Sequence, residues 1–429
     1  MNNKLKKVLI ITYYWPPAGG PGVQRVLKFV KYLPEFGWQP IILTVNNGEY
    51  PAIDETLSKE IPENLKVHKT KAIEPFKFYK KITGSTNNIP THVLSKSSNE
   101  KPLQKMMRWI RANLFVPDAR VGWIPYLVKE GSKIISEEKP DLIFSSSPPH
   151  SLQVGAKKLA DKFDIKWVAD FRDPWSNAFW QKDITRIKYA SRKDKRLEKN
   201  VLFKADAITT VSKPIAEDFH KLSGKQVYLL TNGYDTEDFQ NLKKEETGKF
   251  RICYTGTLSK DQKIDNLLAA LKNLNEQMPQ KIEVNFYGSV HINIRTTIEQ
   301  YGLTNIVKIN NNVSHSSITR IMKNSEILLL VIPDTQNNKG IVTGKLFEYL
   351  ATYNYILGIG PEDSHAADIL NETGCGKMFD YKKDLKNTLE ERIQFHKNNK
   401  HLTVNNNAVK QYSRKAITQK LANIFTEVL

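Results

Sequence analysis

A chain of 429 residues is too long for one ordinary domain and predicts two or three. Its 40% hydrophobic and 10% aromatic content is that of a globular protein, and no apolar run nears the ~20 residues a helical bilayer span needs, which argues against an integral membrane protein. The formal charge of +19 predicts anionic partners and leaves nucleic acid, anionic lipid and phosphorylated small molecules open. Cys253 and Cys375 each fall in an apolar strand-like segment, which points away from a disulfide framework and toward a reducing compartment, and no zinc-ligand spacing occurs.

In chain order, the short apolar run at Val8 to Tyr13 reads as a first strand rather than a leader, because it is rich in β-branched residues and ends in Pro-Pro. It runs into Gly19, Gly20 and Gly22, followed by a helix from about Val23 with Val26, Phe29, Val30 and Leu33 on one face. Strand, glycine loop and helix N-terminus make an anion site, since glycine lets a backbone approach a diphosphate and the free N–H groups point at it. The spacing is neither Gly-x-Gly-x-x-Gly nor a P-loop, which argues against nicotinamide enzymes and P-loop ATPases. A strand over residues 40–45 follows. Residues 46–118 predict loops and short helices. Within them, 101–111 interleaves Lys101, Lys105, Arg108 and Arg111 with Met106, Met107, Trp109 and Ile110, either a basic amphipathic helix for a membrane surface or a surface helix docked on the core.

Regular alternation resumes with a helix over 125–137, a strand at 141–145, a helix over 150–163 and a strand at 166–170, a doubly wound α/β pattern. Ligands of such sheets bind at the carboxyl ends of the strands. His150 follows one end, and Arg172 and Asp173 follow the next, so all three are candidates for a site, with a capping or surface role the alternative for His150. After a basic stretch, 181–204, come a strand at 207–211, a helix at 215–222 and a strand at 226–230 that ends in a Thr-Asn-Gly-Tyr-Asp turn. A polar linker over 240–249 precedes a second alternation: strand 250–255, helix 265–275, strand 282–287, helix 293–301, strand 307–310, helix 316–325 and strand 327–332. The last strand leads through a polar loop to GKLFEYLA, whose helix starts near Thr343 with Leu346, Phe347, Tyr349 and Leu350 facing inward. That junction is again an anion site, and Glu348, pointing elsewhere, is either a solvated carboxylate or a ligand-binding one. Residues 412–429 predict an amphipathic helix that packs on the first domain. The predicted domains are 1–235, 236–404 and the terminal helix segment 405–429.

Six segments, YYWPPAGGPGVQRVLKFVKYLPEFGW, PDARVGW, DFRDPWS, NGYD, YTGTL and GKLFEYLA, together resemble the family 4 retaining glycosyltransferases, in particular those of bacterial surface polysaccharides. The resemblance implies the GT-B fold, two Rossmann-like doubly wound parallel-sheet domains facing across a cleft. It implies a nucleotide-diphosphate sugar on the second domain and Glu348 on the ribose hydroxyls, as the second Glu of the family's Glu-x7-Glu motif. The first Glu of that motif falls on Gly340, and the Arg and Lys that clamp the diphosphate fall on Thr257 and Gln262, so this sequence departs from the pattern at three positions. Asp334 is the candidate replacement for the Glu, and Lys260, Lys263 or Lys345 for the cations. Donor-binding residues are then Gly19, Gly20, Gly22, Gly256, Thr257, Lys260, Thr343, Gly344 and Glu348, with His150, Arg172, Asp173 and Lys345 catalytic. Glycosyl transfer builds negative charge on the departing diphosphate, which preorganised donors stabilise most, so transfer without metal or other cofactor is expected. The expected partners are the donor, a glycan or lipid-linked acceptor and an anionic membrane surface. The expected place is the cytoplasm, peripheral on the inner face of the membrane. The rivals are a nucleotide-sugar 2-epimerase of the same fold and a basic nucleic-acid-binding protein; the latter lacks a recognisable binding motif.

Overall fold

The computed structural model describes residues 5–73, 102–178, 186–240, 242–245, 248–278, 281–311, 313–398, 400 and 402–429. The chain forms two compact units, Met1–Thr231 with Ile417–Leu429, and Asn232–Ala416.

Unit 1 is built on a seven-stranded sheet in the order β3-β2-β1-β4-β5-β6-β7, all parallel. The strands are β1 Lys6–Thr12, β2 Trp38–Val45, β3 Lys66–Thr70, β4 Leu142–Ser147, β5 Lys166–Phe171, β6 Ala207–Thr210 and β7 Val227–Leu229. Central strands covered on both faces read as continuous apolar runs, and Val8, Leu9, Ile10 and Ile11 are fully buried. One face packs against the helices Ile124–Glu138 and Ser151–Phe163, through Leu127, Leu152 and Leu159. The other is covered by helix Pro21–Tyr32 and by the last helix, Arg414–Val428, whose Phe425 ring lies 5.1 Å from Trp38 and 5.5 Å from Phe144.

The expectation of loops and short helices over residues 46–118 needs correcting at one place, with 74–101 outside the described residues: Lys66–Thr70 is the edge strand β3. The helix read over 101–111 is present as Pro102–Leu114, 13 residues long. The strand is short and polar, so it lacks the apolar signal of its neighbours; Thr70 is tied in by the Trp123 indole, Nε1 to Oγ1 at 2.7 Å. The first helix starts at Pro21, two residues before the expected Val23, because proline is preorganised for the first helical turn.

Unit 2 repeats the plan with six parallel strands in the order β10-β9-β8-β11-β12-β13. They are β8 Phe250–Thr255, β9 Ile282–Tyr287, β10 Val307–Asn310, β11 Ile327–Val331, β12 Tyr355–Ile359 and β13 Gly376–Phe379. The last two, with helices His365–Thr373 and Lys386–Lys397, lie where the sequence pattern assigned no element. Cys253 is buried in β8, whereas Cys375 is buried in the bend just before β13; both are free. In each sheet the strand order reverses between the first strand and the fourth, β1/β4 and β8/β11, and it is there that doubly wound sheets open a crevice for ligand.

Candidate active site

In unit 1 the crevice at the carboxyl ends of β1, β4 and β5 gathers Gly20, Gly22, His150, Arg172 and Asp173. Gly20 has φ +105, open to glycine and strained for other residues, and precedes the first helix, whose N-terminus has no side-chain cap and no acidic residue. Gly22 carries the Arg172 guanidinium on its face: a Cβ there would sit 1.4 Å from Nη1. Arg172 is held by donating Nε to the Ser147 carbonyl at 3.2 Å and Nη2 to the Pro148 carbonyl at 3.0 Å. Gly19 is turned away from this group, its N–H on the Ala52 carbonyl at 2.9 Å and its α-carbon against Asp54.

His150 stacks on Trp175 with ring centroids 4.8 Å apart and planes 6° from parallel, and its Nδ1 is buried without a hydrogen-bond partner among the described residues. Burial lowers its pKa to about 4 against the opposing pull of Asp118, so the ring is neutral at pH 7. His150 occupies the residue before helix Ser151–Phe163 but does not cap it. Asp118 does, accepting from Ser151 N at 2.7 Å and Ser151 Oγ at 2.9 Å. Burial also raises the Asp173 pKa, opposed by Arg172.

Sequence reasoning missed the group beneath these residues. Arg25 and Asp170 are fully buried and paired, Arg25 Nη2 to Asp170 Oδ1 at 2.9 Å and Nε to Oδ2 at 3.2 Å. Arg25 also donates to the Leu230 and Thr231 carbonyls, and Asp170 accepts from Ser146 and Thr209 hydroxyls at 2.7 Å each. The signal was present: an Arg on the inner face of an amphipathic helix and an Asp ending an apolar strand must be paired if buried.

In unit 2 the crevice between β8 and β11 gathers Gly256, Lys345, Thr343, Gly344 and Glu348. Gly256 follows β8 at φ +100, and a Cβ on it would stand 3.2 Å from Lys345 Nζ. Gly288 at φ +127 allows the two loops to meet, since a Cβ there would fall 2.5 Å from the Gly256 carbonyl oxygen. Thr343 is the N-cap of helix Gly344–Thr352 but makes no side-chain cap, and its buried hydroxyl has no partner among the described residues. The first turn contains no acid, so free N–H groups, an unused hydroxyl and the half-buried Lys345 ammonium meet at one helix end.

Lys345 Nζ lies 3.9 Å from the centre of the Tyr254 ring. Burial lowers its pKa to about 8, partly offset by Glu348. Glu348 is half-buried, and burial raises its pKa against His315 and Arg414, which lower it; no hydrogen bond to its carboxylate is found among the described residues. Tyr349 Oη on the same helix accepts from Thr255 N at 3.0 Å, lies 3.1 Å from Thr255 Oγ1, and locks the helix onto β8.

The departures from the family pattern have structural consequences. Gln262 is buried and bridges Ser259 N, Tyr254 Oη and the Val331 carbonyl at 2.8 to 2.9 Å, so the position is committed to the fold. Thr257 and Lys260 are exposed, and Thr257 enters the network through its carbonyl, which accepts from Tyr254 Oη at 2.8 Å. Asp334 is exposed on a loop pinned by its N–H to the Asp261 carbonyl at 2.7 Å, and Gly340 ends a single 3-10 turn, Asn338–Gly340. Of the candidate cations, Lys345 is the one brought against Gly256.

Two parallel sheets of this order, each reversing beside a helix end, are the arrangement of the GT-B fold. Residues 85–238 match the model of Glycosyltransferase Family 4, so this part of the chain is similar to that family, and the chain is a glycosyltransferase. Solved structures share the fold over nearly the whole length. A glycosyltransferase from Rickettsia africae ESF-5 is 13% identical with a TM-score of 0.64, covering 99% of this chain and 98% of that one. Anabaena HepE in complex with UDP is 13% identical with a TM-score of 0.64, over 99% and 100%. Sucrose-phosphate synthase from Thermosynechococcus elongatus is 14% identical with a TM-score of 0.62, over 99% of each chain. A comparison with curated proteins found no match.

A pH dependence follows from Lys345. Its folded pKa of about 8 lies below the unfolded value of 10.5, so the unfolded chain holds the proton longer and the ligand-free protein gains stability as pH rises from 8 to 10.5. Diphosphate affinity should move the opposite way and fall over that range as the ammonium is lost. Parallel melting curves and diphosphate titrations at pH 7, 8, 9 and 10 test the pair of signs; affinity flat with pH would remove Lys345 from the anion site.

Proposed function

We propose that the chain transfers a sugar with retention of configuration from a nucleotide-diphosphate sugar to a glycan or lipid-linked acceptor, without a metal ion. The observation that carries this reading is the helix end at Thr343–Lys345, where an unpaired hydroxyl, free N–H groups and an ammonium converge on Gly256. A HepE structure with UDP-glucose shares the fold, with a TM-score of 0.61, and supports a uridine-type donor for this site. Lys345 and the helix N-terminus hold the diphosphate, with Lys260 at the rim, and Glu348 accepts from the ribose hydroxyls. The bond from the anomeric carbon to the phosphate oxygen breaks with its electron pair going to the diphosphate. The acceptor oxygen bonds on the same face, and its proton passes to the departing phosphate oxygen. His150, Arg172 and Asp173 serve the sugar and acceptor, His150 as a neutral hydrogen-bonding ring rather than an acid. Incubation with donor and acceptor in a chelator, followed by determination of the product's anomeric configuration, tests the reading; an inverted product or full dependence on added metal would contradict it.

The acceptor side agrees with a lipid-linked substrate at an anionic membrane surface. Lys101 lies outside the described residues, but helix Pro102–Leu114 exposes Met106, Trp109 and Leu114 at 52%, 46% and 65%, and neighbouring Ile187 and Tyr189 are 44% and 73% exposed, interspersed with Lys105, Lys188 and Arg192. No helix among the described residues is long and apolar enough to cross a membrane. Vesicles containing anionic lipid should retain the protein at low salt, and Trp109→Glu should weaken retention about tenfold or more, the worth of one large apolar side chain. Equal retention by neutral vesicles would count against it.

A further inference from the structure

Unit 2 has a cavity of about 430 Å³ at the amino ends of its strands, where Phe250 starts β8, Tyr355 starts β12 and Glu326 precedes β11. A six-residue strand spans about 20 Å, so this edge is well separated from Gly256 and Lys345 at the other. The volume suits a small molecule.

The chemistry of its wall is one-sided. Lys244, Lys323, Arg392 and His396 line it, and the acidic residue among the lining, Glu326, is already matched by Arg251, whose Nε and Nη2 reach its two oxygens at 3.3 Å. Lys244 Nζ stands 3.4 Å from the same carboxylate. Backbone acceptors nearby are used as well: Thr352 accepts from Lys323 Nζ, and the Met322 and Lys323 carbonyls accept from Asn354 Nδ2, all at 2.9 Å. Lys323 keeps further N–H donors, and burial and Lys244 together lower its pKa. Across the cavity the Arg392 guanidinium lies 4.7 Å from the ring centres of both Tyr355 and Phe395, an aromatic wall topped by a cation. Arg392 Nη2 also donates to the exposed Glu391 carboxylate at 2.6 Å, which leaves Lys323 without a carboxylate partner among the described residues, and such a cation beside a flat wall suits an anion that carries a ring.

We propose that this cavity binds a phosphorylated small molecule bearing a ring, with the phosphate on Lys244 and Lys323 and the ring against Arg392, Tyr355 and Phe395. A sugar phosphate and a nucleoside monophosphate share that chemistry and are separated by experiment. The intact protein is acetylated at low reagent concentration with glucose 1-phosphate, uridine monophosphate or inorganic phosphate, and each lysine is followed by mass spectrometry. One of the two ring-bearing phosphates should slow labelling of Lys244 and Lys323 at roughly tenfold lower concentration than inorganic phosphate does, while exposed Lys382 is unaffected. Arg392→Gln should raise the half-protecting concentration about tenfold without changing the melting temperature by more than a few degrees, and Lys244→Gln serves as the second variant if the first does not fold. Labelling that is unchanged, that slows equally at Lys382, or that slows at Lys345 alone would overturn the proposal. Equal protection by inorganic phosphate would overturn the ring contact.

Discussion

Replacing Lys345 with Met is expected to lower turnover by about 10²- to 10³-fold, the loss typical of removing one preorganised donor from developing negative charge. Methionine keeps the length of the side chain and its contact with the Tyr254 ring, and it removes an ammonium that burial already disfavours, so the melting temperature should hold or rise. The Thr343–Gly344 N–H groups remain and account for residual transfer. Turnover within threefold of the parent, in a steady-state assay at saturating donor, would show that the departing diphosphate is neutralised elsewhere, with Lys260 the next residue to replace.

The second large effect falls on stability. Asp170→Ala leaves the Arg25 guanidinium fully buried with no counter-charge, which costs about 3–5 kcal/mol in comparable buried pairs. For a unit of this size that corresponds to a fall of roughly 10 °C in melting temperature. The double variant Arg25→Met, Asp170→Leu should recover part of the loss, because removing both charges also removes the desolvation that each suffers; the Ser146 and Thr209 hydroxyls and the Leu230 and Thr231 carbonyls lose partners, so recovery is incomplete. A thermal melt of the three variants decides it. A shift under about 2 °C for Asp170→Ala would mean that the pair contributes little.

The parts of the fold that were legible in the sequence are those where burial is two-sided. The runs that became β1, β4, β5 and β11 have apolar centres with polar residues confined to their ends, β8 is broken only by Arg251 near its start, and the helices between them carry apolar residues at 3.6-residue spacing. Edge strands escaped for the converse reason. In β3, Lys66, His68 and Lys69 face water or its border, and Thr70 is the residue that is buried. The end of unit 2 escaped because Gly358, Gly360 and Gly376 interrupt its strands, each packed too closely against a neighbour for a side chain, as in the 2.0 Å a Cβ on Gly376 would leave to the Ile356 carbonyl.

The candidate site divides along similar lines. Helix ends after apolar strands are visible in sequence, so the neighbourhoods of Gly20–Gly22 and Thr343–Lys345 could be read directly. Long-range partners could not. Asp118 caps a helix that begins 33 residues later, Gln262 substitutes a structural network for a cation, and Arg25 meets Asp170 across 145 residues. Gly19, next to Gly20 in sequence, is drawn off to the Ala52 loop by backbone hydrogen bonds, Gly19 N to the Ala52 carbonyl and Asp54 N to the Pro17 carbonyl.

The proposed nucleoside diphosphate site at the carboxyl edge of the unit 2 sheet is tested most directly by calorimetric titration of uridine diphosphate into the parent protein, Lys345→Met and Glu348→Gln. The expected result is one-to-one binding by the parent, weakened about ten- to a hundredfold in each variant, as the loss of a hydrogen bond to a charged group implies. Binding of equal strength in all three proteins would contradict the account.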